Sequence, residues 1–222
     1  MKPGASMDNS LRRAVCLVCL SSCFASSFAA TPPPDIPILP APQKARLQPS
    51  PFAEVAMGGL NVRLEKTSLD EVRTAASSGA IAHQGDAGAS IYWLCYTNLN
   101  ATPTERIWLV SDGEMGGREH SVTSVIAQRS AGAHASADCP AMPATLAPMK
   151  LESGIWLDTP PETARKILGA ASLHSGNWES YDYQGKVPGS CAGAGFDLTS
   201  SLMLQAAGKR FDTLRISRIT SC

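Results

Sequence analysis

Residues 154–183 read GIWLDTPPETARKILGAASLHSGNWESYDY, and this stretch decides the fold. It spells a short helix followed by an aromatic strand. Thr159 precedes Glu162 by three positions, a capping-box arrangement. In such a box a hydroxyl accepts a bond from a free N–H of the first turn, and the carboxylate favours the positive helix end. Pro160 suits the first helical position, where no N–H is needed. Ala164, Ile167 and Leu168 share one side at i, i+3, i+4 spacing, and Gly169 stands where a C-cap glycine is expected. Beyond a loop, Trp178, Ser180 and Asp182 alternate with Glu179, Tyr181 and Tyr183, the two-residue period of a strand.

A looser copy begins at Gly59. Gly59-Leu60-Asn61-Val62 answers Gly154-Ile155-Trp156-Leu157, and Thr67-Ser68-Leu69-Asp70 answers Thr159-Pro160-Pro161-Glu162. A helix over 68–77 places Leu69, Val72, Ala75 and Ala76 on one side and ends near Gly79. Trp93-Leu94-Cys95-Tyr96 answers Trp178-Glu179-Ser180-Tyr181. In the strand 91–96, Tyr92, Leu94 and Tyr96 point one way and Ile91, Trp93 and Cys95 the other, so both faces must be covered or used. Further strands are expected at 106–110 and 122–129 in the first half, and at 196–205 and 211–219 in the second. The same parts recur in the same order, which marks an internal repeat.

The fold class that follows is α+β: two tandem modules, each a short helical segment on a small antiparallel sheet. The boundaries read as an export signal (1–30), a Pro-rich tether (31–52), module 1 (53–130), a linker (131–150) and module 2 (151–222). The signal has Lys2, Arg12 and Arg13, then the apolar run 14–20, then Ser27-Phe28-Ala29 as a cleavage site. Leu20-Ser21-Ser22-Cys23 also resembles a lipobox, which would make Cys23 a lipidated N-terminus and hold the protein at a membrane. Half of the chain's 16 prolines lie between Pro32 and Pro51, a composition of extended polyproline II that packs no core. As a spacer it would reach on the order of 60 Å.

Past the signal, acidic residues exceed basic ones by two, with no basic stripe, so nucleic-acid binding has no electrostatic footprint. Cys95, Cys139, Cys191 and Cys222 remain after the signal, an even number that in an exported chain reads as two disulfides with three possible connectivities. The repeat favours Cys95–Cys139 and Cys191–Cys222, one bridge per half. These four form no C-x-x-C pair and no His cluster lies near them, so nothing points to metal, and no cofactor motif is present. His83, His120, His134 and His174 fall in polar or small-residue loops. Glu114, Glu119 and His120 cluster in sequence but read as solvated loop charges, and no G-x-S-x-G elbow occurs. Gly193-Ala194-Gly195 is a fragment of a phosphate-cradling loop without the rest. The chain is therefore not read as an enzyme; a hydrolase with an unrecognised site is the remote alternative.

The run GIWLDTPPETARKILGAAS followed by W-E-S-Y resembles the repeat of the β-lactamase-inhibitor-protein superfamily, and also the outer-membrane assembly lipoprotein called small protein A. It departs in having Ala170-Ala171 after Leu168-Gly169 where the family often has Pro, and W-x-x-Y in place of W-x-Y. The resemblance implies two modules in tandem, each with a disulfide, and a role in binding or inhibiting a protein of the cell envelope. Trp93, Tyr96, Trp108, Trp178, Tyr181 and Tyr183 are the candidate contacts on a sheet face, because Trp and Tyr bury much area while keeping a polar handle. The alternative is a structural or assembly lipoprotein of the envelope.

The two N-terminal readings separate by mass. Intact-mass measurement of the exported protein is expected to give a chain beginning at Ala30; an acylated chain beginning at Cys23 would replace the cleaved-signal reading with the anchored one.

Overall fold

Residues 91–96 carry apolar and aromatic side chains on both faces of one strand, so neither face of it is left to solvent. The computed structural model describes Met1 and residues 30–40, 52–189 and 195–222. In chain order the elements are β1 (Glu54–Met57), β2 (Leu60–Arg63), α1 (Leu69–Ala76), β3 (Ala82–Gln84), β4 (Ile91–Asn98), β5 (Glu105–Asp112), β6 (Ser124–Arg129), β7 (Met149–Leu151), α2 (Pro161–Leu168), β8 (Leu173–Ser175), β9 (Trp178–Val187), β10 (Phe196–Ala207) and β11 (Arg210–Ser221). The fold is sheet-rich α+β. The signal-region cysteines Cys16, Cys19 and Cys23, and the cleavage site, lie outside the described residues.

Eight strands form one antiparallel sheet in the order β3-β4-β5-β6-β11-β10-β9-β8. In chain order each half runs from an outer edge strand, β3 or β8, inward to the seam, so the halves meet edge to edge at β6 and β11. There Ser124 to Gln128 pair with Ser217 to Thr213. A second sheet, β2-β1-β7, packs with α1 and α2 on one face of the large sheet. Leu69, Val72, Tyr96, Leu109, Ala164, Tyr181, Leu204 and Phe211 belong to one continuous core there, shared by both halves. Burying side chains of this size stabilises by about 1.5–3 kcal/mol each relative to exposure.

Both helices bury the same positions. Leu69, Val72 and Ala76 in α1 correspond to Pro161, Ala164 and Leu168 in α2. Ala75 and Ile167, expected on the inner faces, turn outward instead, and Ile167 is half exposed. The capping frame also shifts. Ser68 is the N-cap of α1 and forms the box with Glu71. Thr67 and Thr159 instead accept from upstream N–H groups, those of Arg63 and Trp156, each at 3.0 Å. Their hydroxyls close the turn before each helix and are not available as caps. Pro160 is consequently the N-cap of α2 and Pro161 its first residue. Helix α1 ends at left-handed Ser77 (φ 51°), two residues before the expected Gly79, whereas Gly169 (φ 77°) caps α2 as expected.

Each helix carries an arginine at its fifth position, Arg73 or Arg165, facing a tyrosine of the neighbouring strand, Tyr96 or Tyr181. In the second half a hydrogen-bonded network joins them, with Arg165 half exposed and Glu179 buried. Arg165 donates through Nε and Nη2 to Glu179, which also accepts from the Tyr181 hydroxyl at 2.8 Å. Burial pushes the Glu179 carboxyl up, but these donors together hold it below the ordinary value. The analogy fails for the segment before the helix. Leu60 to Arg63 is a strand, whereas Ile155, Trp156 and Leu157 are buried without strand pairing.

Residues 131–150 are more than a connector. Met142 and Leu146 enter the core, and β7 pairs with β1. Gly58, in the β1–β2 turn, has φ +55° and no room for a side chain, since a Cβ would meet the Thr145 carbonyl oxygen at 2.1 Å. Cys95 and Cys139 form a disulfide as expected. Cys222 is also disulfide-bonded, and Cys191, its expected partner, lies outside the described residues. Among the described residues no helix is long and apolar enough to cross a membrane.

The Cys95–Cys139 bridge closes a separation of 44 residues, and on the chain-entropy model such a loop is worth about 4 kcal/mol. Replacing both cysteines by Ala is expected to lower the unfolding free energy by about that amount in urea titrations at constant m-value; a loss below about 1 kcal/mol would show that the 131–150 segment is held by packing alone.

Candidate functional site

The face of the large sheet opposite the helices follows from register. Directly paired residues share a face, so one row runs Cys95, Trp108, Ile126, Arg215, Met203, Ser180 across six strands. The adjacent row runs Trp93, Val110, Ser124, Ser217, Ser201, Asp182. The first half of this face is apolar and the second half polar, a boundary that coincides with the β6–β11 seam.

Residues of the Pro-rich segment cover this face. Ala30 and Ile36 pack against a second apolar cluster, distinct from the main core, made of Trp93, Cys95, Trp108, Val110, Ile126 and Cys139. The Thr31 carbonyl accepts from both indoles, Trp93 Nε1 at 2.9 Å and Trp108 Nε1 at 3.2 Å, using both of its lone pairs. The Thr31 N–H donates to Asp138 Oδ2 at 2.6 Å, and its hydroxyl donates to the same oxygen. These bonds, the Thr31 hydroxyl foremost, hold the Asp138 carboxyl down at about 2. The segment expected to stand free as a spacer is therefore, over 30–36, part of the fold. It is able to pack because the sheet supplies the apolar partners that its own composition lacks.

Further along, residues 37–40 roof a cavity of about 260 Å³ floored by Ser180, Asp182, Ser201, Arg215 and Ser217. Ser180 donates to Asp182 at 2.8 Å. Burial pushes the Arg215 guanidinium down, with Asp112 opposing, and its buried Nε has no hydrogen-bond partner.

The six aromatic candidates do not form one surface. Trp93 and Trp108 lie side by side on the far face, 3% exposed beneath the arm. Trp178, half-buried, belongs to the same face at the β9 end, paired with Gln205. Tyr96 and Tyr181 are fully buried in the helix-side core, and Tyr183 shares their side of β9. Tyr96 donates to the Ser78 carbonyl at 2.9 Å, and burial pushes its hydroxyl up to about 12. Burial also raises Tyr181. The reason is the spacing: in W-x-x-Y the Trp and Tyr are three residues apart, and an odd offset puts them on opposite faces. Sequence reading missed Asp138, Thr31, Ile36 and Arg215; the Asp138–Cys139 adjacency was the one local signal, since the disulfide holds Asp138 beside the face.

Two of the four histidines depart from the expected loops, whereas His120 and His134 keep theirs. His83 lies on β3 and His174 on β8, both edge strands. His83 stacks on Tyr92 with ring centroids 4.4 Å apart, and His120 meets the same ring at 3.9 Å. Glu114 and Glu119 are exposed, and Gly193 and Ala194 lie outside the described residues. Among the described residues no cluster of three or more His, Cys, Asp or Glu has metal-binding geometry.

A second cleft, about 290 Å³, is lined by Asn98, Glu105, Arg129, Trp156 and Asp158. Arg129 is committed to the carbonyls of Phe211 and Leu157, at 2.8 and 2.9 Å. Glu105 accepts from Trp156 Nε1 and Asn98 Nδ2, each at 3.3 Å. Its carboxyl is nevertheless raised above the ordinary value, by burial first and by the Asp158 charge, against the lowering pull of those donors and Arg129.

No protein-family model, curated protein or solved structure matches this chain.

Because the folded state raises the Glu105 pKa, it disfavours the ionised form, and stability falls as pH rises from the unfolded value, ~4.3, through the higher folded one. Glu105→Gln is therefore expected to be more stable than the parent at pH 7, with the difference shrinking towards pH 4 in paired thermal melts. A variant destabilised more at pH 7 than at pH 4 would mean that the carboxylate form is the one the cleft holds.

Proposed function

We propose that this is an exported protein of the bacterial envelope that acts by binding another protein through the far face of its sheet. The single observation that carries the reading is that this face already seats an extended peptide segment, residues 30–36, by indole donors, an aspartate and an apolar patch. A surface organised in this way suits an extended protein segment better than a small molecule. The disulfide fits an oxidising compartment.

The chain is further read as two tandem modules joined at the β6–β11 seam, in keeping with its resemblance to the inhibitor-protein repeat. Supporting this are the matched helix faces, the Arg73–Tyr96 and Arg165–Tyr181 pairs, and the mirrored strand order. Trp93, Trp108 and Trp178 remain as candidate contacts, joined by Asp138 and Arg215. Inhibition of the bound partner is the activity that the resemblance implies. The lipoprotein alternative keeps the same fold and differs in the fate of Cys23.

Affinity capture from envelope extract should retain one stoichiometric partner on the parent protein and lose it, by at least tenfold, on Arg215→Glu and on Trp108→Ala, each variant first confirmed folded by thermal melt. A partner retained equally by both folded variants would remove the far face from the function.

A further inference from the structure

We infer that the far face recognises a proline-rich segment of its partner in the polyproline II conformation, and that residues 30–40 are the built-in competitor for that site. The inference rests on the protein-binding reading above and specifies its partner class.

The manner in which the arm is held decides between two modes of peptide recognition. Strand addition would place the arm along an open edge, β3 or β8, with a backbone ladder. The arm instead crosses the face, and residues 30–40 join no strand. Its exposure has a period of three. Ala30, Pro33, Ile36 and Leu39 are partly buried throughout and Pro32, Asp35 and Ile38 exposed throughout, while the third register passes from partly buried at Thr31 and Pro34 to exposed at Pro37 and Pro40. Three residues per turn is the periodicity of polyproline II, and the prolines at 32, 33, 34, 37 and 40 favour that form before docking. Paired indoles donating to a backbone carbonyl beside a proline run are the chemistry by which aromatic grooves read such segments. The Thr31 carbonyl belongs to the backbone, so any segment of this conformation presents the same acceptor.

The fit is uneven along the arm. Over the apolar half, Thr31 and Ile36 satisfy the indoles, Asp138 and the apolar cluster. Over the polar half, the arm lays Pro37, Ile38, Leu39 and Pro40 across serines, Asp182 and Arg215, leaving the cavity open and Arg215 Nε without a partner. Ile38 is 99% exposed. An occupant matched at one end and mismatched at the other is a replaceable one. A partner segment with the same proline run, followed by hydrogen-bonding side chains, would keep the first set of contacts and add the second. The arm belongs to the same chain as the face it covers, so its local concentration is on the order of mM, enough to exclude weak competitors.

The test uses the exported full-length chain from Ala30 and a fluorescein-labelled synthetic peptide, ATPPPDIPILP, which repeats residues 30–40. The parent is expected to bind it weakly, because its own arm is in place. Ile36→Asp, which loosens the arm without touching the sheet, is expected to bind it at least tenfold more tightly, with a shift in tryptophan emission. Adding Asp138→Asn to that variant should reverse most of the gain, and a scrambled peptide should not bind. If Ile36→Asp proves unfolded in a thermal melt, Thr31→Ala serves in its place, with a gain of at least threefold expected. A folded arm variant that binds the peptide no better than the parent overturns the inference and leaves the arm as a structural strap. Loss of captured partner on Arg215→Glu would in that case still uphold the protein-binding reading, so the two fail separately.

Discussion

The pairing of β6 with β11 is the contact on which the rest depends. Without it each half would end in an open edge, and an unpaired edge strand invites association with other chains. With it, residues from both halves fall into common rows, such as Trp108, Ile126, Arg215 and Met203. One face of the joined sheet then carries α1, α2 and the small sheet over a single core. The other face is long enough to hold an extended segment across the seam. Glu65 reinforces the junction from outside the sheet, accepting from Arg218 Nε at 3.1 Å and the Thr220 hydroxyl at 2.8 Å.

The disulfide has a position as well as a strength. Cys95 projects onto the far face, and the bridge to Cys139 holds the following segment alongside β4, where Ala141 makes a parallel bridge with Thr97. Thr97 fixes the same segment, donating from its N–H to the Pro140 carbonyl and accepting at its own carbonyl from Met142, both at 2.8 Å. Asp138 is thereby placed to grip Thr31, whose carbonyl in turn meets Trp93 and Trp108. Two buried indole N–H groups left without an acceptor would cost about 1–3 kcal/mol each. Whatever occupies this face must offer a carbonyl at that point. The covalent bridge, the aspartate, the threonine and the two tryptophans therefore form one chain of dependence running from sulfur to arm.

The helix and strand segments were legible because their signals are local. The i, i+3 spacing of Leu69 and Val72, the alternation through Trp93 to Tyr96, and the cysteine count each need only a few neighbours to interpret. The short strands β1, β2 and β7 were not legible, since three or four residues carry too little periodicity, and β7 pairs with β1 across nearly the whole first half. The aromatic candidates show the same division. That Trp93 and Tyr96 must face opposite ways is contained in their spacing; that the Trp side is the one without helices is not.

The chain by itself indicated the class of fold and the succession of its main helices and strands, consequences of periodicity and spacing, and its repeat favoured the pairing of Cys95 with Cys139 among three connectivities. Where the Pro-rich segment goes was decided only in three dimensions. Prolines set an extended conformation but bring no core of their own, and the surface that receives Ala30, Thr31 and Ile36 exists only once strands far apart in sequence have been laid side by side.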